Sequence, residues 1–105
     1  MDAWNLDDVD AARSGAGELY REFLRIESMS GGLYVLEAGA SDPQSPHAQD
    51  EIYYVLSGHA RFTSGGDDRE VAPGDVLFVP AQEEHRFHSI EERLSLLVAF
   101  APAEG

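Results

Sequence analysis

The chain has 105 residues, a length that suits one domain and leaves no room for a second catalytic module. Twenty acidic residues oppose seven basic ones, all of them arginine, and the formal charge of −13 repels phosphate backbones and anionic membrane surfaces, so we expect neither nucleic acid nor a membrane as partner. The lack of cysteine excludes disulfides, thiolate metal sites and cysteine nucleophiles.

Residues 1–18 are predicted to form a loosely held N-terminal arm with one helical turn after Asn5. The first ten residues are acidic and lack the apolar core of a secretory signal, so we expect a cytoplasmic protein. Trp4 is the exception in this polar arm. A lone tryptophan usually packs against something, which here is either the chain's own domain or a neighbouring subunit.

Residues 19–105 are predicted to form a single all-β domain. Short segments rich in β-branched and aromatic side chains recur at regular spacing between turn residues, and the strongest of them is EIYYVL at residues 51–56. Such spacing favours an antiparallel barrel or sandwich. The predicted strands cover residues 19–27, 33–38, 51–56, 60–64, 69–72, 76–80, 85–90 and 93–100, and the predicted turns cover residues 29–32, 57–59, 65–68, 73–75 and 91–92.

Three residues at the starts of two predicted strands have the chemistry of a metal site. His47 lies four residues before Glu51, and strand side chains alternate, so positions 47, 49 and 51 share one face if the strand extends back to residue 47. Gln49 then lies between the two ligands, and Tyr53 continues the same face. His85 opens a later strand. Two imidazoles and one carboxylate suit one divalent ion of Fe, Mn, Zn, Ni or Cu.

The other two histidines are not expected to bind the ion. His88 lies three residues after His85, so its side chain has the opposite parity and points outward. His59 falls in a predicted turn and is expected to be exposed. Arg25, in an apolar context, either pairs with an acidic residue across an interface or anchors a substrate carboxylate.

The spacing of these residues resembles the two motifs of the cupin superfamily. The first family motif is Gly, five residues, His-x-His, three or four residues, Glu, six residues, Gly, and this chain has Gly39, five residues, Ser45-Pro46-His47, three residues, Glu51, six residues, Gly58. The second is Gly, five residues, Pro-x-Gly, two residues, His, three residues, Asn, and this chain has Gly74, five residues, Pro80-Ala81-Gln82, two residues, His85, three residues, Ser89.

Three positions depart from the family pattern: Ser45 replaces the first histidine, Gln82 a turn glycine, and Ser89 the final asparagine. The resemblance therefore implies metal binding by His47, Glu51 and His85 only, with a water or substrate atom in place of the missing ligand. Gln49 is expected to assist as a carbonyl ligand or as a hydrogen-bond donor. The resemblance also implies an antiparallel β-barrel of the jelly-roll or double-stranded β-helix kind, and a homodimer.

Three functions remain open from the sequence. The first is a metal-dependent enzyme acting on a small organic molecule, most concretely a dioxygenase-like oxidoreductase, because two histidines and one carboxylate are the ligands of non-haem Fe(II) oxygenases. Gln49 and Tyr53 would then position O₂ and substrate. The second is a non-enzymatic sensor or carrier of a small ligand. The third and weakest is a metal-assisted isomerase or lyase, which needs a proton-transfer group, and Tyr53 is the one evident candidate.

Overall fold

The computed structural model describes residues 1–104, which form one short helix and six antiparallel strands. The all-β prediction is confirmed, but the strands are fewer and longer than the eight or nine predicted. The elements are α1 (Leu6–Gly15), β1 (Tyr20–Ile26), β2 (Met29–Leu36), β3 (Asp50–Ser64), β4 (Asp67–Val71), β5 (Val76–Val79) and β6 (His85–Ala101).

The strands form one sheet in the order β1-β2-β6-β3-β4, and β5 pairs with the first half of β3. β3 and β6 are long enough to pair along most of their length, from Glu51 opposite Phe100 to Ser64 opposite His85. A sheet built on two such strands rolls up around its apolar face as an antiparallel barrel.

Both long strands change their inward-facing parity part-way along. In β3 the buried positions are odd-numbered up to Val55 and even-numbered from Gly58, and the β3–β6 register is irregular over the same stretch. In β6 the change falls at Ser89, which has a positive φ of 50°. Bulges of this kind bend a strand, and here they let one strand serve both sides of the barrel.

The predicted turns at 57–59 and 91–92 are therefore wrong. The chain does not reverse there, and Gly58 supplies the positive φ of 97° that the bulge in β3 needs. His59 lies inside β3 instead of in a turn, although it is exposed as expected. The predicted turn at 29–32 is also wrong, because β2 already begins at Met29 and the reversal occurs at residues 27–28.

The barrel interior is a continuous apolar core. Tyr53 and Phe87 are its largest fully buried side chains, and their rings meet edge to face with centroids 5.1 Å apart. The wider cluster draws on β2, β3, β4, β5 and β6. Glu51 and His85, two of the site residues described below, are buried beside this packed interior.

The N-terminal segment is more ordered than the predicted arm with one turn. Asn5 caps a ten-residue helix by accepting a hydrogen bond from the backbone N–H of Asp7, at 2.9 Å. Of the two partners expected for Trp4, its own domain provides one: the indole lies against Phe23, with ring centroids 5.1 Å apart. Within residues 1–104, no helix has the length and apolar character needed to cross a membrane.

Candidate metal centre

His47, Glu51 and His85 meet at one end of the barrel, as the motif spacing predicts. One ligand atom from each lies within 4.8 Å of the others. Glu51 Oε1 is 3.0 Å from His85 Nε2 and 3.8 Å from His47 Nε2. The side chains of Glu51 and His85 are each only 1% exposed, whereas His47 is 20% exposed and forms the open side of the cluster.

Backbone pairing positions the cluster. Glu51 occupies an inward position of β3, between Val79 on β5 and Phe100 on β6. His47 precedes the strand, and its carbonyl oxygen accepts a hydrogen bond from the backbone N–H of Gln82. The loop before β6 is thereby tied to the loop before β3, which brings His85 next to the other two residues.

The protonation of His85 leaves an unsatisfied pair of atoms at the centre of the cluster. Its Nδ1 lies 2.8 Å from the carbonyl oxygen of Glu83 and must donate a hydrogen to it, because a carbonyl only accepts. In the neutral ring Nε2 is then unprotonated, and its lone pair faces the carboxylate of Glu51. Neither Nε2 nor Glu51 Oε1 has a hydrogen-bond partner among the described residues, although both are buried.

Two buried acceptors 3.0 Å apart repel each other unless a cation lies between or beside them. One such cation is a proton: burial by itself lowers the pKa of His85, but the nearby Glu51 carboxylate and the hydrogen bond to the Glu83 carbonyl outweigh it and raise that pKa above its ordinary value. The other is a metal ion, which binds neutral imidazole and ionised carboxylate directly. The donor set therefore fits a divalent metal.

A second polar network beside the cluster comes from the loop before β3. The hydroxyl of Tyr53 donates to Oε1 of Gln44 at 2.7 Å, and Nε2 of Gln44 donates to Oδ2 of Asp42 at 2.7 Å. Asp42 also accepts from the hydroxyl of Tyr34 and from the backbone N–H of Phe87. Gln44 Oε1 lies 3.5 Å from His47 Nε2, so this network reaches the metal cluster.

Gln44, and not Gln49, is the glutamine that the structure brings to the site. β3 begins at Asp50, and residues 48–49 form a bend, so the strand parity used to place Gln49 beside Glu51 does not extend back that far. Gln49 is half-buried and does not line the cavity described below. Sequence reasoning missed Gln44, whose one signal was its place among the polar residues of the motif loop.

The structure also locates three further residues that the sequence analysis discussed. His88 points outward as expected and bonds Asp68, with Nε2 2.8 Å from a carboxylate oxygen. Arg25 pairs with Glu22 at 3.0 Å on its own strand and does not line the cavity described below, so both alternatives given for it stay predictions. Ser45, at the position of the family's first histidine, is exposed.

An apolar cavity of about 220 Å³ opens next to the cluster. His47, Glu51 and Tyr53 are part of its wall. Its lining includes no arginine, and the other side chains around it are mostly apolar or aromatic. The remaining lining residues are Leu19, Tyr20, Tyr34, Pro43, Gln44, Val98, Phe100 and Glu104. A pocket with many apolar groups and a few convergent polar ones is typical of small-molecule sites.

Comparison with known proteins identifies the family. Residues 32–100 match the Cupin domain family. The chain is a member of the cupin family. The uncharacterized protein SCO3923 of Streptomyces coelicolor is 49% identical to it over 105 residues, which is the full length of both.

Two relatives with named activities are more distant. The dimethylsulfoniopropionate lyase DddQ of Ruegeria pomeroyi is 30% identical over 69% of this chain and 36% of its own. Its crystal structure superposes with a TM-score of 0.71 over 84% of this chain and 49% of that one, at 23% identity. The acireductone dioxygenase of Bacillus anthracis is 32% identical over 56% of this chain and 38% of its own. The chain thus spans little more than a third of each enzyme.

Proposed function

We propose that this cupin binds one divalent transition metal through His47, Glu51 and His85 and catalyses the oxidation of a small organic molecule by O₂. The observation that carries the proposal is the buried pair of unsatisfied atoms, Glu51 Oε1 and His85 Nε2, which a metal ion bound to both would satisfy. Two histidines with one carboxylate are the ligands that non-haem iron oxygenases use. The similarity to acireductone dioxygenase supports this direction.

The chain's own residues have separable tasks in such a reaction. When bound, the ion supplies open coordination positions for O₂ and substrate. Burial and the neighbouring Glu51 carboxylate raise the pKa of Tyr53 well above its ordinary value, so the phenol keeps its proton and acts as a hydrogen-bond donor. Gln44 accepts that bond and holds the hydroxyl in place, and Phe100 and Val98 give the same cavity an apolar wall. Gln49 remains a candidate for assistance from outside the cavity wall.

The lining indicates the class of substrate. A cavity of about 220 Å³ is smaller than the roughly 300–1,000 Å³ of typical ligand pockets, so it suits a compact molecule. Without an arginine in the wall, nothing but the metal would pair with a phosphate or carboxylate. The substrate proposed is therefore a compact, largely apolar molecule that carries an oxygen atom able to approach the metal.

The decisive experiment compares metal content and O₂ consumption in the wild type and in a His47→Ala/His85→Ala double variant. About one equivalent of metal per chain in the wild type and none in the variant would establish the centre. O₂ uptake with Fe(II) and a panel of compact diols, phenols and ketones then tests the oxidation. Absence of metal in both proteins after supplementation would eliminate the enzyme and leave the cavity as a plain ligand-binding site, the sensor alternative.

One observation favours a lyase or isomerase as a second candidate. The carboxylate of Glu104 lines the cavity, and burial raises its pKa above the ordinary value despite the opposing effect of His47. A carboxylate with a raised pKa next to a substrate pocket has the properties of a general base. Elimination or isomerisation without O₂ uptake, lost in Glu104→Gln, would favour this activity over oxidation.

We also propose that the chain forms a homodimer through the outer face of β3 and β5. Ile52, Tyr54, Val76 and Phe78 are 42–63% exposed, and the strand register places Ile52 opposite Phe78 and Tyr54 opposite Val76. Their side chains thus form a contiguous apolar patch, which is unusual on a free surface. Light scattering of wild type and Phe78→Ser tests this: a dimer that Phe78→Ser converts to a metal-binding monomer supports the interface.

A further inference from the structure

Glu104 lies outside both cupin motifs but contacts a proposed metal ligand. Its Oε2 is 3.0 Å from Nδ1 of His47. The segment after β6 turns back across the barrel end, where the backbone N–H of Ala103 donates to the carbonyl of Glu27. The backbone N–H of Glu104 donates to the hydroxyl of Ser30, a residue with no exposed surface, at 3.0 Å. The backbone that carries this carboxylate is therefore fixed.

The carboxylate controls which ring nitrogen of His47 faces the cluster. A neutral imidazole carries one proton, on Nδ1 or on Nε2, and the hydrogen bond made by one nitrogen decides the state of the other. A proton on Nδ1 faces the Glu104 carboxylate at 3.0 Å, whereas a proton on Nε2 would face Gln44 Oε1 at 3.5 Å and Glu51 Oε1 at 3.8 Å. The shorter contact with a carboxylate favours the proton on Nδ1. Nε2, which lies 3.8 Å from Glu51 Oε1, is then left as a lone pair directed at the cluster.

His85 is held in the same way by a different acceptor. Its Nδ1 donates to the carbonyl oxygen of Glu83, and its Nε2 faces Glu51. Both histidines thus present Nε2 to a common centre, and each has an acceptor behind Nδ1. Outer acceptors of this kind fix the tautomer and orientation of metal-binding histidines and make them more basic.

We propose that Glu104 is a positioning residue for the metal centre: it acts through His47, fixing the ring and its tautomer so that Nε2 is presented to the ion. The inference rests on the proposed metal centre and deepens it. It also accounts for a site that lacks the family's first histidine, because with one ligand fewer the orientation of His47 matters more. Glu104 lies beyond both cupin motifs, so the spacing of the motifs could not indicate this role.

Two substitutions separate the hydrogen bond from the rest of the side chain. Glu104→Ala removes the acceptor, whereas Glu104→Gln keeps a carbonyl oxygen able to accept from Nδ1–H. Glu91→Ala, which removes an exposed carboxylate away from the cluster, is the matched control. The measurements are Zn²⁺ affinity by competition with a chromophoric chelator, and ¹⁵N NMR of the imidazole rings, which reports the tautomer. Thermal unfolding of the metal-free proteins confirms that all variants fold.

We expect Glu104→Ala to bind Zn²⁺ about 10–100-fold more weakly than wild type and to lose the Nδ1–H tautomer of His47. Glu104→Gln should recover most of the affinity and the tautomer, and Glu91→Ala should match wild type. Wild-type affinity in Glu104→Ala would overturn the inference and leave the metal centre intact. Equal losses in Glu104→Gln and Glu104→Ala would overturn it in favour of direct ligation or a charge effect. A wild type that binds no metal would overturn the proposed function itself.

Discussion

Replacement of Glu51 by glutamine is the most direct test of the metal centre. Glu51→Gln keeps the size of a side chain that is 1% exposed, so it opens no cavity in the barrel. It removes the charge and the anionic oxygen that faces His85 at 3.0 Å. The metal-free protein should therefore stay folded, while stabilisation by metal is lost.

The size of the effect follows from linkage. At a free Zn²⁺ concentration about 100-fold above Kd, binding adds about 2.7 kcal/mol to the free energy of unfolding of the wild type. A chain of 105 residues has an entropy of unfolding of about 0.22 kcal/mol/K near 60 °C, so Tm should rise by about 12 °C. Loss of a ligand should weaken binding about 100-fold or more, which at the same zinc concentration leaves about 0.4 kcal/mol, or about 2 °C.

Differential scanning calorimetry with and without Zn²⁺ measures both values. Glu91→Gln, an exposed carboxylate away from the cluster, is the control and should show the full wild-type rise. An equal rise in Glu51→Gln and wild type would refute the reasoning, because zinc would then bind somewhere other than the buried cluster. No rise in any of the proteins would refute the metal centre as a whole.

Two further predictions concern proton competition and the bulge in β3. Because the pKa of His85 is raised, its protonated form stabilises the metal-free protein at low pH, and that stabilisation is lost as pH rises through the raised pKa. The same proton competes with the metal, so the apparent Zn²⁺ affinity should fall as pH falls through the raised pKa, and a constant Kd would contradict this. Gly58→Ala should lower the free energy of unfolding by more than about 2 kcal/mol, because its φ is 97° and a Cβ would collide with the carbonyl oxygen of Arg93. Gly66 has open space around it, so the control Gly66→Ala should lower the free energy of unfolding by no more than about 0.5 kcal/mol, and urea unfolding measures both.

Local alternation and motif spacing were sufficient to predict much of this protein. The inward positions of β3 follow from the period of two, which places Glu51, Tyr53 and Val55 on one face. The spacing from Gly39 to Ser89 indicates the family and predicts that the three proposed ligands lie together. These features depend on a few neighbouring residues, so the sequence carries them directly.

The sequence did not predict the bulges in β3 and β6. Gly58 lies in the predicted turn 57–59, because glycine between two apolar runs is typical of turns, and Ser89 lies in the predicted strand 85–90, just before the predicted turn 91–92. Whether the chain reverses or continues depends on the partner strand, and β3 and β6 support each other across both irregular points. Pairing partners far away in the chain settle that choice.

The full site was decided by the closure of the barrel. His85 pairs with Ser64, at the far end of β3 from Glu51, so only the rolled sheet brings His85 and Glu51 within 3.0 Å. The same closure selects Gln44 over Gln49 and carries Glu104 from beyond the last strand to His47. The sequence alone determined which residues are able to bind a metal, because that is a matter of side-chain chemistry and local spacing. The tertiary structure alone decided which polar groups contact those ligands, because the contacts join loop segments that no strand register relates to one another.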